Sequence, residues 1–330
     1  MLDVSDVWKS PFHIDRRTPV ATYGSCFAQH FSRSLVERGY SWINAEPGLP
    51  GIPLELQRAF NYGVFSARTG NIYTASNFRQ WVSWAMEGTS PPPLFWEKNG
   101  KVYDPFRPTV EPDGFSSISE MEHSRGHAVR AFRQSLLDCD LLVFTLGLTE
   151  SWWDSEAEIE FAMCPGTIAG SFDPKRHVFR NQDYDFVRAS LEDAISMIRK
   201  QRQGDLKVLL TVSPVPLTAT NSEQHVLVAT MESKSILRAV AGKVAGSIKD
   251  VSYFPSYELI NSPVFRGSYF EPNLRSVSKH GVAHVMNCFF SGLGEQLAAG
   301  QAADHERIDL VSHEDVMCDE ELLSAFGVGN

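Results

Sequence analysis

Three short apolar runs punctuate the second half of the chain. Leu141–Leu146 stops at Gly147, Lys207–Val212 stops at Ser213-Pro214, and residues 251–254 stop at Pro255. Runs of this length bounded by turn residues predict buried strands. Each follows a stretch of helical period, over residues 126–139, 183–202 and 232–247. In the second stretch Phe186, Leu191, Ile195 and Ile198 form an apolar stripe. An earlier run, Pro19-Val20-Ala21, precedes Phe27, Phe31, Leu35 and Val36, which recur at helical spacing. A last helix is expected over about 279–298. Strands alternating with helices predict an α/β, flavodoxin-like three-layer sandwich with a mostly parallel sheet.

In such sheets ligands bind beyond the carboxyl ends of the strands. Those ends carry Gly24-Ser25-Cys26, residues 147–150, residues 213–216 and residues 255–258, so four motifs should meet at one rim. Residues 40–125 are rich in Pro, Gly and aromatics, with a short helical pattern near 77–86. Residues 151–182 have no clear period. Both read as loop-rich insertions that cover the rim of one domain spanning 1–299. The tail over 300–330 is acidic and expected to be solvated.

Composition narrows the classes. At 330 residues, 43% of them apolar, the chain can bury a sizeable core. Its net charge of −10 argues against nucleic acid and against an anionic membrane surface as partners. The five cysteines, Cys26, Cys139, Cys164, Cys288 and Cys318, are scattered and form no Cys-x-x-Cys pair. No metal site, cofactor or disulfide framework is expected. The N-terminus lacks the pattern of a signal peptide, and no apolar run approaches about 18 residues, so a cytoplasmic protein is expected.

Candidate chemistry centres on Thr22-Tyr23-Gly24-Ser25-Cys26-Phe27-Ala28. Gly24 permits a tight turn, and Ser25 is a natural helix cap. The turn places a hydroxyl and a thiol at a helix N-terminus, where free N–H groups and the positive dipole end stabilise an anion. That setting suits an activated nucleophile beside an oxyanion hole. It equally suits an ordinary strand–turn–helix with a buried Cys.

Gly24-Ser25-Cys26-Phe27-Ala28 resembles the motif that names the GSCFA family, which is placed in the wider SGNH/GDSL hydrolase superfamily. Thr145-Leu146-Gly147-Leu148-Thr149-Glu150-Ser151-Trp152, Cys164-Pro165-Gly166-Thr167, Leu210-Thr211-Val212-Ser213-Pro214, Tyr253-Phe254-Pro255-Ser256-Tyr257-Glu258 and Gly281-Val282-Ala283-His284 also resemble it. The resemblance runs from about 20 to about 290. It implies an SGNH-like fold and acyl-ester chemistry on a small-molecule or saccharide ester, with the oligomeric state open. Against the superfamily's Gly-Asp-Ser-Leu block, Cys26 falls at the nucleophile, while a one-residue shift restores Ser25. Turn position favours Cys26, and both stay candidates.

The resemblance also implies an oxyanion donor at Thr149, in the place of a superfamily Asn, and another at Gly63 within Asn61-Tyr62-Gly63. Glu150 would orient a base or bind substrate. Ser213 and Tyr257, in the later rim motifs, are substrate-side candidates. The superfamily's final Asp-x-x-His block reads Asn273-Leu274-Arg275-Ser276 here, so its acid and base are both replaced. His280 and His284 fall inside the last helical pattern. His177, in the insertion after Gly147, is the expected base, and His225 is the second choice. The alternative is a glycan- or ligand-binding protein without turnover.

Overall fold

The computed structural model describes residue 4 and residues 6–295. The acidic tail and Cys318 lie outside the described residues. The elements run, in chain order, β1 (Val20–Gly24), α1 (Ala28–Glu37), α2 (Leu54–Ala59), α3 (Ala75–Met86), β2 (Trp96–Lys98), β3 (Lys101–Tyr103) and α4 (Ile118–Asp138). Then follow β4 (Leu141–Leu146), β5 (Glu150–Asp154), β6 (Ile159–Phe161), β7 (His177–Asn181), α5 (Tyr184–Gln201) and β8 (Lys207–Val212). The chain closes with α6 (Val226–Ser247), β9 (Val251–Tyr253), α7 (Ser256–Asn261) and α8 (Lys279–Gly292).

The four expected strands form one parallel sheet in the order β1-β4-β8-β9. Every residue of β1 and β4 is buried, which is why these strands read as continuous apolar runs. Alternate residues split between two cores. Ala21, Tyr23, Leu142, Phe144, Val208 and Leu210 face one core, shared with α3 to α6. Val20, Leu141, Val143 and Leu209 face the other, with Phe27 and Phe31 of α1 and Phe289 of α8. Helices therefore cover both faces, and the fold is the α/β three-layer sandwich.

The free edge of β1 is covered without a further strand. Val20 donates to Ser41 O and Ile43 to Val20 O, then Ser66 to Thr22 O and Ile72 to Gly24 O. Irregular backbone thereby satisfies an edge that would otherwise invite pairing.

The structure refines several expected boundaries. α4 begins at Ile118, because Ser117 caps it by accepting from Glu120 N. α6 begins at Val226, capped by His225. Residues 151–182 are not plain loop: β5, β6 and β7 form a three-stranded antiparallel sheet in the order β6-β5-β7. β5 and β6 are buried on both faces over most of their length, so no period of two marks them, and β7 alternates over only five residues. No helix among the described residues is long and apolar enough to cross a membrane.

Candidate functional site

The β1–α1 turn forms at the carboxyl end of the sheet, as the run of apolar residues followed by helical spacing requires. Gly24 sits at φ +130°, and a Cβ there would lie 2.3 Å from Thr145 O. Only glycine allows β1 to approach β4 this closely. Ser25 N donates to Thr145 O at 3.0 Å, and the first helical bond runs from Ala28 N to Ser25 O at 2.8 Å. The amides of Cys26 and Phe27 lie ahead of that bond, at the positive end of α1.

Ser25 does not cap the helix as expected. Its Oγ is buried and has no hydrogen-bond partner among the described residues. A hydroxyl left unpaired in this way carries a desolvation cost that the fold must offset elsewhere. Thr145 Oγ1, on the facing strand, is buried and unpartnered as well. Cys26 is buried and in no disulfide among the described residues.

Two segments press on this turn. Gly147 packs so closely that a Cβ on it would lie 3.1 Å from Ser25 Cβ and 2.9 Å from the Tyr73 ring. Gly147 N donates to Tyr73 O at 2.8 Å. From the other side, Lys234 on α6 is buried and its Nζ donates to Gly147 O at 2.5 Å. Residues 70–74 are the part of the first insertion that reaches the turn. Gln29 Nε2 donates to Asn71 Oδ1 at 3.3 Å there.

Beside Tyr73 opens a cavity of about 320 Å³, lined in part by Thr74, Asn77, Glu150, Trp152, Glu160 and Thr220. Glu150 accepts from Thr220 Oγ1, and burial raises its pKa above the ordinary carboxylate value. Glu160 is fully enclosed. It accepts from Thr74 Oγ1 at 2.5 Å and from Ser76 Oγ, and burial pushes its pKa up to about 7. Gln182 Nε2 links Ser76 Oγ at 2.6 Å to Ser151 Oγ at 3.0 Å, tying α3 to β5.

The remaining expected site residues are placed as follows. Thr149 lies next to the turn, but its N donates to Ser233 Oγ and its Oγ1 to Asn181 Oδ1 at 2.7 Å. Both donors are committed within the fold. Ser213 is buried at the end of β8, where its Oγ accepts from Val215 N at 3.3 Å. Tyr257 opens α7 and packs against the larger core. Asn61 donates to Thr109 O at 3.2 Å, and Gly63, at φ +67°, occupies the turn after α2. It is residues 70–74, not 61–63, that abut Gly24 and α1.

Neither His177 nor His225 joins the turn, where His30 packs against Phe27 instead. His177 begins β7 opposite Asp154, at the far end of the strand pair from Glu150 and Asn181. Four residues of strand separate the two levels by about 13 Å. Its Nδ1 accepts from Asp173 N at 3.0 Å, its ring lies against Phe161 and Phe172, and burial lowers its pKa. His225 is exposed and accepts from Leu227 N at 3.2 Å as the cap of α6. In the final block Asn273 Oδ1 accepts from Arg275 N and Ser276 N, both at 2.9 Å, and Asn273 Nδ2 donates to Ser276 Oγ. The block is a local turn.

Sequence reasoning missed Tyr73, Asn77, Glu160 and Lys234. Thr74-Ala75-Ser76-Asn77 does carry a helix-cap signal. Glu160 and Lys234 carry none, since each looks like a surface residue until the tertiary fold encloses it.

The model of the GSCFA family matches residues 19–289, most of the chain. No curated protein matches it.

Proposed function

The chain belongs to the GSCFA family, and from that premise we propose that it is an acyl-ester hydrolase or acyltransferase working from the β1–α1 turn. One observation carries this reading: Ser25 Oγ is buried, without a hydrogen-bond partner among the described residues, and held at a helix start by a glycine that no other residue can replace. In acyl transfer the hydroxyl attacks the ester carbonyl, its proton passes to a base, and the alcohol leaves. Positive charge density at the start of α1 offsets the oxyanion.

His177 and His225 are engaged elsewhere, so the base is reassigned to Lys234, whose amine reaches the Gly147 carbonyl beside Ser25. The adjoining cavity, walled by Glu150 and Trp152, would hold the rest of the substrate. The four cysteines among the described residues form no disulfide, which favours a cytoplasmic setting.

The test is a fluorophosphonate probe with the adduct mapped by mass spectrometry. Labelling at Ser25, abolished in Ser25→Ala, supports the reading; labelling at Cys26 moves the nucleophile by one residue. A second reading, ligand binding without turnover, draws on the final block, where Asn273 and Ser276 bind each other. Absence of any adduct at residues 25 and 26 would favour it.

A further inference from the structure

The cavity beside Tyr73 has a distinct chemical character. Glu150 and Glu160 both line it, and no Lys, Arg or His does. Three aromatic side chains, Tyr73, Trp152 and Phe161, complete much of its apolar wall. Asn77 also lines it; its Oδ1 is buried and has no hydrogen-bond partner among the described residues. At about 320 Å³ the space lies at the small end of the range of ligand pockets.

Each feature selects a ligand. Two carboxylates, one buried and one half-buried, repel an anion and attract a cation. Aromatic faces attract cations as well, through the negative face of the ring. An unfilled amide oxygen asks for an N–H or O–H donor. A bare metal ion is a poorer match, because no group of three or more His, Cys, Asp or Glu side chains comes together among the described residues. An organic ammonium group answers all three features: its charge meets the carboxylates, its N–H groups meet Asn77, and its carbon chain meets the rings.

We propose that this cavity binds the ammonium group of a small organic amine. The inference does not rest on Ser25 chemistry, since none of its elements belongs to the β1–α1 turn. Raised pKa values at Glu150 and Glu160 agree with it. Burial penalises their charged forms, and a bound cation would relieve that penalty.

The experiment uses matched probes on the full chain. Binding of n-pentylammonium, of its uncharged counterpart 1-pentanol and of methyl glucoside is measured by calorimetry or ligand-observed NMR at pH 8. The expected result is that the ammonium binds at least about tenfold tighter than 1-pentanol. Glu160→Gln and, separately, the more exposed Glu150→Gln should each shrink that ratio and leave 1-pentanol affinity unchanged. Ser25→Ala should leave both affinities as they are, which separates this inference from the acyl-transfer reading. Equal affinities, tighter binding of 1-pentanol or the glycoside, or no detectable binding of the ammonium would each overturn it.

Discussion

The β1–α1 turn and the 271–278 segment are the two places from which an SGNH-type enzyme would draw its nucleophile and its acid–base pair, and they are built on opposite principles. The turn is enclosed: Gly24, Ser25 and Cys26 are all buried, and β4 fits against Gly24 with no room for a methyl group. In the 271–278 segment residues 271–274 are exposed and 275–278 half-buried, and Asn273 bonds to Ser276 and to the local backbone. In one region a buried hydroxyl has no partner among the described residues, at a structural cost; in the other, the two residues at the expected acid and base positions bond to each other. Unmet bonding capacity is where chemistry or binding is to be sought, so the contrast points to the turn and away from the final block.

The contrast breaks first if Ser25 is dispensable. Ser25→Ala should lower ester turnover by several orders of magnitude, measured as kcat/KM on an activated ester. The same variant should keep or raise the urea midpoint, because the hydroxyl it removes has no partner. Loss of stability without loss of turnover would reverse the assignment.

Gly24→Ala comes next. A Cβ there meets Thr145 backbone from a φ reserved for glycine, so destabilisation upward of about 3 kcal/mol is expected in denaturant unfolding. A mild effect would mean that the turn is far more yielding than its packing implies.

Glu160 tests the enclosed side at a similar scale. Its pKa rises from an ordinary 4.5 in the unfolded chain to about 7 in the fold. The folded state therefore holds the proton more tightly. Stability should fall as pH climbs from about 4.5 to about 7, by about 3 kcal/mol, and level off above. Glu160→Gln should abolish that slope. Urea midpoints of both proteins at pH 4.5 and 8 decide it; parallel pH dependences would show that Glu160 is not protonated by burial.

The smallest effect belongs to the final block. Asn273→Ala removes two bonds to local backbone in an exposed turn and should cost about 1 kcal/mol or less, with turnover unchanged. A large loss of activity would restore this block to the catalytic machinery.

Much of this architecture was legible beforehand. β4 and β8 begin and end where their apolar runs do, because strands buried on both faces are mostly apolar, with Thr145 and Thr211 inside them and Lys207 at the start of β8. Gly24 marked its own turn. β6 and β7 gave no signal: each is short, and β7 pairs with β5 across 23 to 31 residues, while β6 folds back on β5 from 5 to 9 residues away. His177 was a plausible base only while the insertion was free to fold back; pairing with Asp154 fixes it at the distal end of that sheet.

The sequence by itself determined the strand–helix order, the sheet and the position of the β1–α1 turn, since these rest on local periodicity and on a glycine with no substitute. The tertiary structure decided which side chains became enclosed together. Lys234 and Glu160 are 74 residues apart and unremarkable in their own segments. Each gains its chemistry only when α6 and β6 bury it against the rim, because desolvation and charge proximity are properties of the packed whole.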